Sequence, residues 1–92
     1  MNDVLLIKKL KPDEDIDTIM PVRFIISGMD EKENILKLFG NLRKENILND
    51  DKILVKIDGI TINICPKDID KVIKIIFSMG LSIYEIFTMY DN

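Results

Sequence analysis

The stretch Lys52-Ile-Leu-Val-Lys-Ile-Asp-Gly-Ile-Thr-Ile-Asn-Ile-Cys65 constrains this chain most, because it reads as a β-hairpin. Apolar residues recur at every second position on both sides of Asp58-Gly59, a dipeptide suited to the two positive φ angles of a type I′ turn. A two-residue turn there predicts that Ile57 faces Ile60, Val55 faces Ile62 and Ile53 faces Ile64, all on one side of a sheet. That side is the expected core. The opposite side carries Leu54, Lys56, Thr61 and Asn63, a mostly polar surface open to water or to a partner.

Around the hairpin the chain alternates strand and helix signals. Pro21 opens an expected strand, Val22–Ser27, with Val22, Phe24 and Ile26 on one face. After Gly28-Met29, Asp30 and Glu33 have the spacing of a capping box, and a helix is expected to about Asn46 with Ile35, Leu38, Phe39 and Leu42 inward. Lys37, Asn41 and Lys44 are expected to face water. Asn46 tolerates the left-handed conformation that ends helices, and Asn49-Asp50-Asp51 reads as the loop into the hairpin. Pro66 then suits the first position of a second helix, whose inward stripe is Ile69, Val72, Ile73 and Ile76 and whose end is Gly80. A final strand is expected over Ser82–Tyr90, and its pattern does not reveal the inward face.

At the start, Val4–Leu10 reads as an additional strand, and Pro12–Asp17 as an acidic linker. The expected division is therefore residues 1–21, N-terminal strand and linker, and residues 22–92, one domain. Asp13, Asp15 and Asp17 imitate the opening of a calcium loop. The glycine such a loop needs is Thr18, however, and its closing glutamate is Phe24, so a solvated loop is the expectation.

Composition narrows the chemistry. The chain has 92 residues, 18 of them isoleucine, and no histidine, alanine, glutamine or tryptophan. Without histidine it lacks the commonest general base and the commonest transition-metal ligand. Cys65, next to Pro66 at an expected helix start, has no histidine to activate it and reads as structural. No phosphate loop or metal cluster is visible, so a non-enzyme without cofactor is expected. Thirteen basic against 16 acidic residues, dispersed along the chain, argue against nucleic acid. A single cysteine points to a reducing compartment, and the apolar run at Val4–Ile7 is too short for a signal peptide or membrane span, so a cytoplasmic protein is expected.

Without Val4–Leu10 the order is strand, helix, strand, strand, helix, strand. Two helix stripes and one apolar sheet face pack most economically as an α+β, two-layer sandwich of the ferredoxin-like kind, here with an extra N-terminal strand. Arg23, Ile25, Leu54, Lys56, Thr61 and Asn63 would then line the uncovered sheet face, which is incompletely polar and invites a second subunit.

The stretch from Ile26 to Ile47 resembles the opening of an ACT domain, the amino-acid-sensing module of aspartate kinases and related regulators. Carrying the likeness are Gly28-Met29 after a strand, Asp30 at a helix start, Leu38-Phe39 and Leu42 within it, and Glu45-Asn46-Ile47 at its end. Ile60–Ile76 is similar to that family's third strand and second helix. The resemblance implies a site at the first strand–helix loop, where Gly28, Met29 and Asp30 receive an amino acid or other small anion at a helix N-terminus and a neighbouring subunit completes the pocket. Glu33 occupies a position at which the family places glycine, adding bulk and negative charge to that site. The family's small helix residues, often alanine, are also absent.

RNA recognition on such a sheet would want aromatic residues among basic ones on the central strands, and the hairpin has no aromatic. Acylphosphatase-like catalysis would want an arginine in Ser27-Gly-Met-Asp-Glu, which has none. Two readings remain: a dimeric regulatory or interaction module that binds an amino acid, and a structural or partner-binding protein without a ligand. In either, four consecutive apolar residues at Val4–Ile7 need cover, and we expect this segment to contribute to the dimer. Deleting residues 1–17 should weaken dimerisation measured by light scattering, and an equally stable dimer would refute that role.

Overall fold

The computed structural model of the protein describes residues 18–50 and 52–88. The expected N-terminal strand and acidic linker, Asp51 and the last four residues lie outside them. The elements are β1 (Met20–Ile26), α1 (Lys32–Lys44), β2 (Ile53–Lys56), β3 (Gly59–Ile64), α2 (Ile69–Ser78, after a 3₁₀ turn at Pro66–Asp68) and β4 (Ile83–Thr88). The four strands form one antiparallel sheet in the order β2-β3-β1-β4, so the expected α+β sandwich of one sheet and two helices is present.

β1 alternates perfectly. Val22, Phe24 and Ile26 are buried, and Val22 and Phe24 pair across the ladder with the buried Ile62 and Ile60 of β3. Leu38 and Leu42 of α1 and Val72 and Ile76 of α2 join them in one cluster, so both helices cover the same sheet face. Phe24 is fully buried in this cluster. Truncating such a ring to alanine typically costs about 3–5 kcal/mol, a large share of a small domain's stability.

Both helices end in the same way. Asn46 (φ 57°) and Gly80 (φ 79°) adopt the left-handed conformation one residue beyond the C-cap. The next residue folds back: the Ile47 amide donates to the Leu42 carbonyl at 3.1 Å, and the Leu81 amide to that of Ile76 at 3.3 Å. Asn46 and Gly80 donate to Arg43 and Phe77, completing two Schellman motifs. In each, the apolar residue after the turn packs into the core beside the helix it closes. Two details of the expected stripes change. Asn41 is half-buried, and Ile75 packs on the core where Ile73 was expected, because the buried stripe of α2 continues to Met79.

The hairpin departs from its expected register. Val55 pairs with Ile60 and Ile53 with Ile62, so the two-residue turn is Ile57-Asp58, and neither residue has a positive φ. Ile57, expected opposite Ile60, stands 75% exposed at the corner. A shift of two positions leaves every other residue on its expected face. The cause is long-range. Gly59 is needed inside the ladder opposite Ile25, where a Cβ would collide with the carbonyl oxygen of Phe24 and stand 3.0 Å from the Ile25 Cα. The Ile26 amide then reaches the Asp58 carbonyl at 2.9 Å, extending β1 onto the turn.

β4 hides its inward face for a local reason. Ile25 pairs with Glu85 but Ile26 with Ile83, so Tyr84 is an extra residue in a β-bulge. Ile83, Ile86 and Thr88 therefore face the core while Glu85 and Phe87 share the outer face with Ile25 and Arg23.

These contacts predict opposite outcomes for two glycines. Gly59→Ala should destabilise the domain by at least ~2 kcal/mol, since the obstruction is backbone. Gly40→Ala, in the interior of α1 with nothing within 4 Å of a new Cβ, should stabilise it by about 0.5–1 kcal/mol. Urea denaturation at matched buffer conditions measures both.

Candidate functional site

The loop from Ser27 to Glu31 is held on two sides. The Ser27 amide donates to the Ser82 carbonyl at 2.9 Å, and the Ser82 amide donates to Ser27 Oγ at 2.9 Å, tying the loop to the entrance of β4. The Glu31 amide donates to the Gly28 carbonyl at 3.2 Å, and Asn34 Nδ2 donates to the same oxygen at 3.0 Å. Gly28 takes φ 80°, and a Cβ there would lie 2.8 Å from both Asn34 Nδ2 and Leu81 Cδ2. The absence of a side chain at Gly28 thus accommodates Asn34 and Leu81.

Of the four residues implicated by the resemblance, Gly28 is half-buried, Met29 is a core residue at 2% exposure, and Asp30 and Glu33 are exposed. The expected capping box does not form. Glu31, in extended conformation, is the N-cap, with no side-chain hydrogen bond to the first turn, and Asp30 belongs to the preceding turn. The turn closed by Gly28 delays the helix by one residue, which moves Asp30 out of the capping position. Asn34, which sequence reasoning passed over, makes the local side-chain bond instead. Chemically the loop offers the amides of a helix start, ringed by the exposed carboxylates of Asp30, Glu31 and Glu33.

Other polar groups are organised around the loop leading into β2. Asp50 accepts from the Lys52 amide at 2.9 Å and from Asn63 Nδ2 at 3.1 Å, while Asn49 Nδ2 donates to the Asn63 carbonyl at 3.2 Å. A surface cleft of about 520 Å³ opens beside this network, lined by Pro21, Lys52, Ile53, Leu54, Thr61 and Asn63. Cys65 is half-buried at the start of the 3₁₀ turn. Among the described residues, no three acidic, cysteine or histidine side chains are grouped to hold a metal ion.

The outer sheet face is the other feature with binding potential. Leu54, Thr61, Arg23 and Phe87 form one row across all four strands, and Lys56, Gly59, Ile25 and Glu85 form the next. Leu54 is 53% exposed; Arg23 pairs with Asp58 at 3.5 Å. Sequence reading placed Arg23, Ile25, Leu54, Lys56 and Thr61 on this face but assigned Gly59 to the turn. It missed Glu85 and Phe87, which the bulge at Tyr84 brings to the face.

Comparison with known protein families, with characterised proteins and with solved structures finds no match. No helix among the described residues is long and apolar enough to cross a membrane.

The pinned loop makes a contrast that urea denaturation can read. Gly28→Ala should cost about 1–2 kcal/mol or more, from the left-handed backbone and the two close contacts. Asp30→Ala should change stability by less than about 0.5 kcal/mol, whereas loss of a true capping residue would cost about 1.

Proposed function

We propose that the chain is a small, non-catalytic regulatory or interaction module of the cytoplasm that works as a dimer on a ferredoxin-like sandwich. The sheet order β2-β3-β1-β4, with a helix between β1 and β2 and another between β3 and β4, supports that fold. The observation that carries the function is the outer sheet face. Its two rows span every strand, and Leu54, Ile25 and Phe87 leave apolar area on a surface whose central charge, Arg23, already has a partner in Asp58. Apolar area combined with neutralised charge at the centre suits a protein partner better than a nucleic acid.

Amino-acid binding at Gly28, Met29 and Asp30, beside Glu33, is the second reading. It is favoured by the fixed loop running directly into the N-terminus of α1, a place where backbone amides attract a carboxylate. The surrounding carboxylates oppose it, so the interaction module without a ligand is the reading we place first.

Light scattering should find a dimer at micromolar concentration, and a monomer throughout would refute the proposal. Thermal shift with free amino acids separates the two readings. A compound at a hundredfold excess over its dissociation constant stabilises the native state by about 2.7 kcal/mol. A melting point indifferent to every amino acid is expected; a rise with one of them, strengthened by Glu33→Gly, would favour the second reading.

A further inference from the structure

We infer that the outer sheet face takes a second copy of this chain, face to face, about a two-fold axis parallel to the strands and lying between β1 and β3. The inference rests on the dimer reading above and adds the partner surface and its geometry. It follows from the order of residues along the two rows. Such an axis lays β2 of one copy over β4 of the other and keeps each row in place. Lys56 of one copy then lies over Glu85 of the other, and Leu54 lies over Phe87. The two-fold repeats both pairings, giving two ion pairs and two apolar pairs.

At the centre, Thr61 meets Arg23, whose guanidinium is already paired with Asp58, so no two arginines stack. Ile25 meets Gly59, which has no side chain of its own. The other in-plane two-fold, perpendicular to the strands, fares worse. It lays each strand on its own copy and separates Lys56 from the partner's Glu85 by about three strand spacings, roughly 14 Å. Opposite charges and matching apolar residues at the two edge strands therefore select the strand-parallel axis. They also select a second copy over an unlike protein, because the face is complementary to itself.

The face spans about 19 Å across four strands and about 17 Å along them, which is small for a stable interface. A micromolar dissociation constant is the expectation. Sedimentation velocity over roughly 1–500 μM covers the range this implies.

Lys56→Glu and Glu85→Lys, both at exposed positions, should each raise the dissociation constant about tenfold or more by setting like charges together twice. An equimolar mixture of the two variants should recover dimers, since every contact is then between opposite charges. The double variant K56E/E85K should dimerise alone. Leu54→Asp breaks the same face without relying on the charge pairs, and circular dichroism checks that each variant is folded. If the wild type dimerises but the charge reversals and Leu54→Asp all leave it unchanged, the face-to-face geometry is overturned and the dimer reading stands. Single reversals that weaken the dimer without recovery on mixing also overturn it. A wild type that stays monomeric overturns both, as it would if the chain's own N-terminal segment covered the face.

Discussion

The close approach of β1 to β3 at Gly59 is the constraint on which the rest of the sheet depends. With no Cβ at this position, the backbone of Phe24 and Ile25 closes to ladder distance beside the turn. Three results follow from that single contact. The hairpin turns at Ile57-Asp58, the Ile26 amide gains the Asp58 carbonyl, and the Asp58 carboxylate stands within 3.5 Å of Arg23. A type I′ turn at Asp58-Gly59 would satisfy local preference but would take Gly59 out of the ladder. Backbone exclusion against β1 outweighs turn preference, because overlap with a carbonyl oxygen has no cheap relief while an Ile57-Asp58 turn is only less favoured.

The inner face holds the helices by two means that act at different ranges. Burial of the β1 and β3 isoleucines, Phe24 and the helix stripes supplies most of the favourable free energy, but it is not directional. The Schellman closures supply direction. By returning Ile47 and Leu81 to the core, they set where each helix stops and where the next strand can begin. At the loop before α1 the same role falls to Ser27 and Asn34, which fasten the chain before the helix starts. The loop is thus as well anchored as the helix ends, and its exposed carboxylates are the part left to solvent.

How much of this was legible depends on the range of the interaction. Strands and helices declared themselves through periodicity, and Asn46 and Gly80 declared the helix ends, because those signals are local. The hairpin register was not legible, since Gly59 serves a strand more than thirty residues earlier in the chain. Neither was the start of α1: Asp30 and Glu33 have the spacing of a capping box, and only the turn closed by Gly28 moves the N-cap to Glu31. In β4 the bulge at Tyr84 breaks the alternation that would have assigned its faces. For the candidate sites the consequence is uneven. Gly28, Met29 and Asp30 were recognisable as a loop before a helix, whereas every ion pair and apolar pair of the proposed dimer depends on Glu85 or Phe87, which only the bulge places.

In the proposed face-to-face dimer, affinity and specificity would come from different residues. Exposed ion pairs are worth little individually, about 0–1 kcal/mol in water, so Lys56 and Glu85 alone would not hold two copies together. Covering Leu54, Ile25 and Phe87 offers more, at roughly 25 cal/mol for each Å² of apolar surface removed from water. Apolar contacts, however, do not distinguish one docking angle from another. With the central arginine already neutralised by Asp58, the edge charges are what remain to choose the axis, and reversing one costs more than the pair contributes because attraction becomes repulsion at two places. The bulge at Tyr84 is therefore more than an irregularity in β4. Without it Glu85 would fall out of line with Ile25 and Lys56, and the proposed dimer would lose the charge that pairs with Lys56 of the second copy.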